Sequence, residues 1–480
     1  MTTPTAAILG IDLGTTDVKV GLVSLDGRLL SMARAGYALD VDPETGRAEQ
    51  DPGAWWSAIV VAVHALHPPE AVDVVAIGVD GHGPTLAAVD ERGDAVRPAI
   101  TFLDTRARKE AEAIADATGI RGWALGPLPA GLWLEHHEPE SAARTRWYLN
   151  TWEWLALRLT DVAAAPAVPG QEPPDADVVR DATGLKVERR PAPSAMGDVV
   201  GTLTATAAAS LGLRAGIPVA GGTNDAFASY LGAGLSEAGD AYDPGGSAGG
   251  FGVYWHEPVD VPGAFVTPAP LPGLYSVGAA MAATGRALDW FRDAVSGGGI
   301  STEALLEEAA TTPPGADGVV FLPYLAGERS PIWDPTATGA FVGLTLAHGR
   351  GHLARAILEA SALAIRHVAE PMLAAGVRVT AMRACGGPAR SETWNQIKAD
   401  VTGFPVLVPA VLETAVLGSA MLGAVAIGAC PDVRSAVRSM TRIERRLEPR
   451  SDLRATYDRA YQVYAGLYPA LRPVLQGADP

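Results

Sequence analysis

The sequence predicts an α/β protein assembled from two similar halves. Three observations lead there. Short apolar runs that read as strands, such as "AAILGID" and "VDVVAIGVD", alternate with longer stretches of helical character. Each half opens in the same way, with a strand, a Gly turn carrying Ser or Thr, and a second apolar strand: "AAILGIDLGTTDVKVGLVS" first, "GDAYDPGGSAGGFGVYW" later. The chain has 480 residues, room for two to four domains of roughly 100–200 residues each. The likeness of the openings is one of kind and suggests an internal duplication.

In chain order, "AAILGID" reads as a buried strand and "VKVGLVSLDGRLL" as a hairpin around Asp26-Gly27. Residues 51–66 read as a helix, "VDVVAIGVD" as a strand and "TLAAVDERGDAVRPAITF" as a second hairpin. Helical character returns over 105–118. Residues 162–177 are rich in Ala and Pro and read as an irregular loop. "AGIPVAGG" gives a strand and 226–231 the start of a helix. In the second series, helices are expected near 284–295, 301–310 and 350–375. "VTAMRACGG" and "FPVLVP" are strands, each leading into a helix, at 391–402 and 413–428. The tail over 451–475 is helical. The run from Ala415 to Cys430 is shorter than the roughly 20 residues a membrane-spanning helix needs and reads as a buried core helix.

A net charge of −17, with no basic block, argues against nucleic acid or an anionic membrane as partner. It leaves room for a small anionic ligand. Two cysteines, Cys385 and Cys430, make no disulfide framework and no metal cluster. With no signal-peptide pattern at the start, the expected setting is cytoplasmic.

Neither G-x-x-x-x-G-K-[ST] nor G-x-G-x-x-G occurs. Three other glycine turns follow strands. In "DLGTTDVK", Gly14 permits an unusual backbone and Thr15 and Thr16 offer amides and hydroxyls to an anion, with Asp12 able to reach a magnesium ion. An ordinary hairpin turn explains the same residues. "DPGGSAGG" is open to the same two readings. In "CGGPARSETWNQIKAD", two glycines precede a helix start and suit a flat ligand, or simply a tight turn. Asp225, in "GGTNDAFASYLGAG", is a lone acid among small and apolar residues. It can serve as a general base or as a helix N-cap.

Taken together, these segments resemble the FGGY family of carbohydrate kinases. The series also includes "FLPYLAGERSPIWDPTATGAFVGLT" and "ETAVLGSAMLGA" and runs from about residue 7 to 430. The resemblance implies two RNase H-like domains of the actin-like ATPase fold with ATP in the cleft between them, over 1–238 and 239–480. It implies transfer of the γ-phosphoryl group of ATP, assisted by Mg²⁺, to a hydroxyl of a small sugar or polyol. By position Asp225 falls on the catalytic base, which also touches the acceptor. Asp12 falls on the magnesium-associated acid, with Gly14, Thr15 and Thr16 beside the phosphates. Gly245, Gly246 and Ser247 fall on the second phosphate loop, and Gly386, Gly387 and Asn395 on the adenosine site. Asp104 and Arg106, in "FLDTRA", fall near the acceptor pocket.

The acceptor side departs from the family. Xylulose kinases carry "GQMHG" where this chain has "DGHGPT", which puts His82 at the Gln, Gly83 at the Met and Pro84 at the His. The Arg-Glu pair of glycerol kinases is also missing, and Phe102 stands where many members have Trp. His82 is therefore either a substrate contact or a structural hydrogen-bonder. A pentulose such as xylulose or ribulose is the first expectation for the acceptor, with gluconate or a short polyol next. A catalytically inactive sugar sensor or an actin/Hsp70-like ATPase are the rivals. A homodimer is left open. Glu328 and Arg329 in "GERSP" read as a structural salt bridge, and His348 and His352 as surface or capping residues.

Overall fold

Two units divide the chain in the computed structural model, which describes residues 4–68, 71–171, 173–246 and 248–476. The first holds Met1–Gly234, Pro268–Pro272 and Glu413–Thr441; the second holds Leu235–Thr267, Gly273–Leu412 and Arg442–Pro480. The expected division at 238/239 puts residues 413–441 with the second half. By their contacts they pack in the first.

The first unit is built on a seven-stranded sheet. Its strands are β1 (Thr5–Leu13), β2 (Asp17–Ser24), β3 (Leu29–Gly36), β4 (Val72–Gly81), β5 (Val199–Thr202), β6 (Pro218–Ala220) and the short β7 (Thr223–Asn224). The order is β5-β6-β4-β1-β2-β3, and β7 also pairs with β4. β1 runs antiparallel to β2 and parallel to β4, β4 is parallel to β6, and β6 is antiparallel to β5.

The second unit repeats this plan. Its strands are β8 (Asp240–Asp243), β9 (Gly249–Trp255), β10 (Phe265–Pro268), β11 (Tyr275–Met281), β12 (Ala381–Ala384), β13 (Val406–Pro409) and β14 (Ile443–Leu447), in the order β10-β11-β9-β8-β12-β13-β14. Again the opening strand, β8, is antiparallel to its hairpin partner and parallel to the strand on its other side, and the far pair is antiparallel. The duplication is thus plain in strand order, where matched residues alone left it as a suggestion.

β1 is buried along almost its whole length, as a strand covered on both faces must be, and so shows no polar alternation. One row of glycines makes room for the cover. Gly21, Gly10 and Gly78 are register partners across β2, β1 and β4. Helix α5 (Thr414–Ala426) lies on that row; α1 to α4 are Pro52–His64, Asp225–Gly232, Arg350–Ala374 and Glu392–Thr402. A Cβ on Gly10 would stand 2.3 Å from the Val416 carbonyl, and one on Gly78 would stand 1.8 Å from that of Ser419. α5 also presses on α2, where a Cβ on Gly418 would stand 1.9 Å from the Ala228 carbonyl. The segment read as a buried core helix is one, and this trough is why it carries small residues.

α1 starts where Pro and an Asp cap dictate: the Asp51 side chain accepts from the Gly53 amide at 2.8 Å, with Pro52 in the first turn. The expected hairpin over 85–102 closes around Asp90–Asp94, the Asp90 amide donating to the Asp94 carbonyl at 2.9 Å, and each of its runs also pairs with a further strand. Ala87–Val89 pairs with Trp147–Leu149, and Ala99–Ile100 with Arg47–Gln50. The two runs are joined at Leu86–Ile100, which exchange both backbone hydrogen bonds, and near the turn at Val89–Ala95, with the Val96 amide donating to the Ala88 carbonyl at 3.0 Å. Both runs are fully apolar, and a lone hairpin cannot bury them. The irregular stretch 162–177 contains a three-residue strand, Ala165–Ala167. Glu328 accepts the backbone amides of Ala282 (2.8 Å) and Arg329 (2.7 Å) instead of pairing with the Arg329 guanidinium. His352 takes the capping role expected of it, its Nδ1 accepting from the Gly349 amide at 3.1 Å. Among the described residues no helix is long and apolar enough to cross a membrane, and both cysteines are buried and outside any disulfide.

Candidate active site

In the first unit three acids gather at one end of neighbouring strands. Asp12 is the penultimate residue of β1, and its register partner across the parallel pair is Asp80 of β4. β7 pairs with β4 at Thr223–Asp80 and Asn224–Gly81, which brings Asp225, the next residue, to the same end. Carboxyl ends of parallel strands are where α/β proteins place ligands, because the loops there are free to vary. Asp225 is the first residue of α2, but the cap is Asn224, whose Oδ1 accepts from the Phe227 amide at 2.8 Å. Asp225 itself accepts the neighbouring Ala226 amide, at 2.8 Å. Its carboxyl is therefore not needed to hold the helix.

Three carboxyls at close quarters, Asp12 and Asp80 buried and Asp225 half-buried, cannot all ionise easily. Burial raises Asp12 above the usual carboxylate range, opposed by Lys19. Burial, then the charge of Asp12, holds Asp80 well above it. Burial, then Asp12, pushes Asp225 up to about 7. Lys19, the register partner of Asp12 on β2, places its Nζ 3.8 Å from Asp12 and 3.3 Å from Glu413. Asp80 accepts a hydrogen bond from the Ser419 hydroxyl through Oδ2, and its buried Oδ1 has no partner among the described residues.

The Gly14–Thr16 turn has its carbonyls tied back into the protein. The Tyr37 hydroxyl donates to the Gly14 carbonyl, Gln50 Nε2 to that of Thr15 at 2.7 Å, and the Tyr37 amide to that of Thr16 at 3.1 Å. In a trans peptide the N–H points opposite to the C=O. The amides of Thr15, Thr16 and Asp17 are thus directed away from these anchors, as an anion cradle requires.

His82 continues the strand pairing, its amide donating to the Leu13 carbonyl at 2.9 Å. Its ring is buried between Trp55, edge-on at 5.6 Å, and Phe102 at 6.1 Å. Nδ1 meets the Thr85 hydroxyl at 3.1 Å, and the buried Nε2 has no partner among the described residues. Burial lowers its pKa to about 4, so the ring is neutral at pH 7. Asp104 and Arg106 pair with each other, Nη2 to Oδ2 at 2.6 Å. Arg106 and Arg97 both also bond Glu49 Oε1, and Arg97 reaches Glu138 at 3.2 Å. Arg106 lies 4.3 Å over the Trp133 ring.

In the second unit the two glycine turns lie back to back. Gly245 has φ +59°, and a Cβ there would stand 2.2 Å from the Cys385 carbonyl. Gly386 has φ +67°, and a Cβ there would stand 2.7 Å from the Pro244 carbonyl. The Cys385 amide donates to Asp243 at 3.0 Å, and Asp243 Oδ1 accepts from the Gly245 amide at 3.0 Å. Gly246 follows in the same loop, while Ser247 lies outside the described residues. Gly387 opens a short 3₁₀ turn to Arg390. Asn395 supports that turn from below: it is fully buried, and its Nδ2 donates to the Ala389 carbonyl at 2.7 Å. Lys398 forms a buried ion pair with Asp243 and so links α4 to the loop.

The sequence singled out Asp12, Asp225, the three turns, His82 and the Asp104–Arg106 pair. It passed over Asp80, Lys19, Glu49, Gln50, Tyr37, Glu413 and Lys398. For Asp80 a signal existed: like Asp12, it is an acid near a strand end with a glycine within two residues after it. The others gain meaning only from pairing between distant segments.

The chain matches the FGGY family of carbohydrate kinases, N-terminal domain, over residues 7–166 and C-terminal domain over 246–427. It is 32% identical over 421 residues to the xylulose kinase of Escherichia coli (strain K12), a match covering 82% of this chain and 84% of that one. With the gluconokinase of Bacillus subtilis (strain 168) it shares 27% identity, over 85% of each chain. Among solved structures, the xylulose kinase from Rhodospirillum rubrum superposes with a TM-score of 0.82 at 31% identity, covering 98% of this chain and 100% of that one.

Proposed function

Since the chain belongs to the FGGY family of carbohydrate kinases and is a phosphotransferase with an alcohol group as acceptor, we propose that it phosphorylates a small neutral ketose, a pentulose such as xylulose or ribulose first, with Asp225 as general base. The observation that carries this reading is Asp225 itself. It is an acid released from capping by Asn224, on the strand-end side of β4, with a pKa of about 7. A base poised near the working pH is the one that transfers protons best.

On this reading Asp225 takes the proton of the attacking hydroxyl. The oxygen bonds to the γ-phosphorus as the bond to the β-phosphate oxygen breaks, and ADP leaves. The amides of Thr15 and Thr16 are directed to stabilise the oxygens of the transferring group. The fit to magnesium rests on the donors. Asp12 and Asp80 are buried side by side and share a side-chain hydrogen bond, an arrangement a cation would relieve. No group of three or more His, Cys, Asp or Glu among the described residues is arranged to hold a metal ion alone. Magnesium is bound by one or two carboxylates together with substrate phosphates, which is what this donor set offers. The ion, when bound, neutralises phosphate charge; Asp12 would hold it with Asp80 beside it. The second phosphate loop, Gly245 to Ser247, and the adenosine site, Gly386, Gly387 and Asn395, belong to the same proposal.

The likeness to a gluconokinase favours a second reading, a sugar acid. Against it, Arg97 and Arg106 are already held by Glu49, Asp104 and Glu138, and His82 is neutral. On these contacts a substrate carboxylate would meet two arginines already held by acids. A coupled assay of ADP release with ATP and Mg²⁺ over D-xylulose, D-ribulose, gluconate and glycerol tests the proposal. Highest kcat/KM on gluconate would overturn the neutral-acceptor reading.

A further inference from the structure

We propose that Gln50 is a positioning residue for the first phosphate loop, locked by Trp55 into the one amide orientation that directs the Thr15–Thr16 peptide at phosphate. This rests on the reading that residues 14–16 receive the γ-phosphate.

Gln50 ends the strand Arg47–Gln50 and is buried. Its side chain is held at both ends. Trp55 Nε1 donates to Gln50 Oε1 at 3.2 Å, and Gln50 Nε2 donates to the Thr15 carbonyl at 2.7 Å. An indole N–H can only donate. The oxygen of the Gln50 amide must therefore face Trp55, and the nitrogen must face Thr15. Trp55 is fully buried, so this choice is not relaxed by water. The Thr15 carbonyl is then a committed acceptor, and because the peptide is trans the Thr16 N–H points the other way. Were the amide reversed, Gln50 Oε1 would face the Thr15 carbonyl, two acceptors would meet, and the peptide would be driven to rotate. Rotation would aim a carbonyl, not an N–H, at the phosphate. The Tyr37 hydroxyl fixes the preceding carbonyl, that of Gly14, so only the Thr15–Thr16 peptide depends on Gln50.

Gln50→Glu tests the donor requirement with almost no change of shape. An ionised Glu offers Thr15 a second acceptor; a protonated Glu offers one O–H donor and restores the contact. The measurement is calorimetric binding, with Mg²⁺ and no acceptor, of ADP and of a non-hydrolysable imido analogue of ATP. The ratio of the two dissociation constants isolates the γ-phosphate. For Gln50→Glu at pH 8 that ratio should fall about 10-fold from wild type, the loss expected for one charge-assisted hydrogen bond. Burial of that position raises an introduced carboxyl above the usual carboxylate range, so at pH 5.5, against wild type at the same pH, the loss should be smaller than at pH 8. Gln50→Leu should lose the ratio at both pH values. Trp55→Phe, which keeps a ring but drops the N–H, should lose part of it. ADP affinity should stay within about 2-fold throughout. The pH recovery is read within one preparation, so misfolding cannot mimic it. An unchanged ratio in Gln50→Glu and Gln50→Leu, with wild type discriminating, would overturn the role of Gln50 while leaving the loop as a phosphate site. A wild type that binds both nucleotides equally would overturn the phosphate reading of the loop, and this proposal with it.

Discussion

Asp12 and Asp80 stand opposite one another in register on adjacent parallel strands, and both carboxyls are buried. Two acids in that relation are costly unless protons or a cation are shared between them. Asp12→Asn should therefore raise the Mg²⁺ concentration needed for half-maximal rate and lower kcat severely. Titrating Mg²⁺ in the ADP-release assay checks this. A mutant with normal kcat and normal Mg²⁺ dependence would remove Asp12 from the metal role.

Asp225→Asn should lower kcat by ~10²–10⁴-fold, the usual weight of general base catalysis. In the wild type, kcat/KM should fall as pH drops below about 7, because the base must be ionised. Stability should move the other way. The native carboxyl, at about 7, binds its proton more tightly than the unfolded one, at 3.8. The stability it contributes is complete below the unfolded value and is lost as pH rises through about 7. Asn carries no such loss. Thermal melts should show Asp225→Asn gaining on wild type from about pH 4 to pH 7 and keeping that gain above it. The capping bond of Asn224 is untouched by the change.

His82→Gln should raise kcat/KM for D-xylulose relative to other acceptors, since Gln is what xylulose kinases carry at this place. The parent, with a neutral imidazole whose Nε2 has no partner among the described residues, should turn over D-ribulose better than D-xylulose within the proposed pentulose class. If D-xylulose is already the best substrate of the parent over a broad panel, the departure at "DGHGPT" has no bearing on specificity.

Gly418→Ala should destabilise the protein by at least the ~1–3 kcal/mol typical of overpacking, because its Cβ would stand 1.9 Å from the Ala228 backbone carbonyl. Urea denaturation followed by fluorescence measures it. A change under roughly 0.5 kcal/mol, the range of ordinary surface substitutions, would contradict the close crossing of the two helices.

The sequence made the strands and the glycine turns legible because both are local. Apolar runs announce β1 and β4, and Gly14, Gly245 and Gly386 announce their turns. What it hid depends on pairing. Asp80 becomes part of a site only once β4 is known to lie parallel to β1 in a register that sets it beside Asp12. Gln50 acts on Thr15, 35 residues away, and Lys398 on Asp243, 155 residues away. The runs within 85–102 form the hairpin that period and turn favour, but the partners that cover its outer edges, Arg47–Gln50 and Trp147–Leu149, come from distant segments the sequence did not announce. Asp225 looked like a cap because helix starts favour Asp; Asn224, one residue earlier, fills that place.

The glycine row under α5 also bears on how the chain is made. Residues up to Gly234 leave the ribosome long before Glu413–Thr441, yet the sheet of the first unit needs that late segment to cover Gly10, Gly21 and Gly78. A nascent chain stalled anywhere in between carries an open apolar trough that its own sequence cannot yet close. Such a chain is a natural client for holding chaperones during synthesis, and a fragment ending near residue 238 should aggregate when expressed alone.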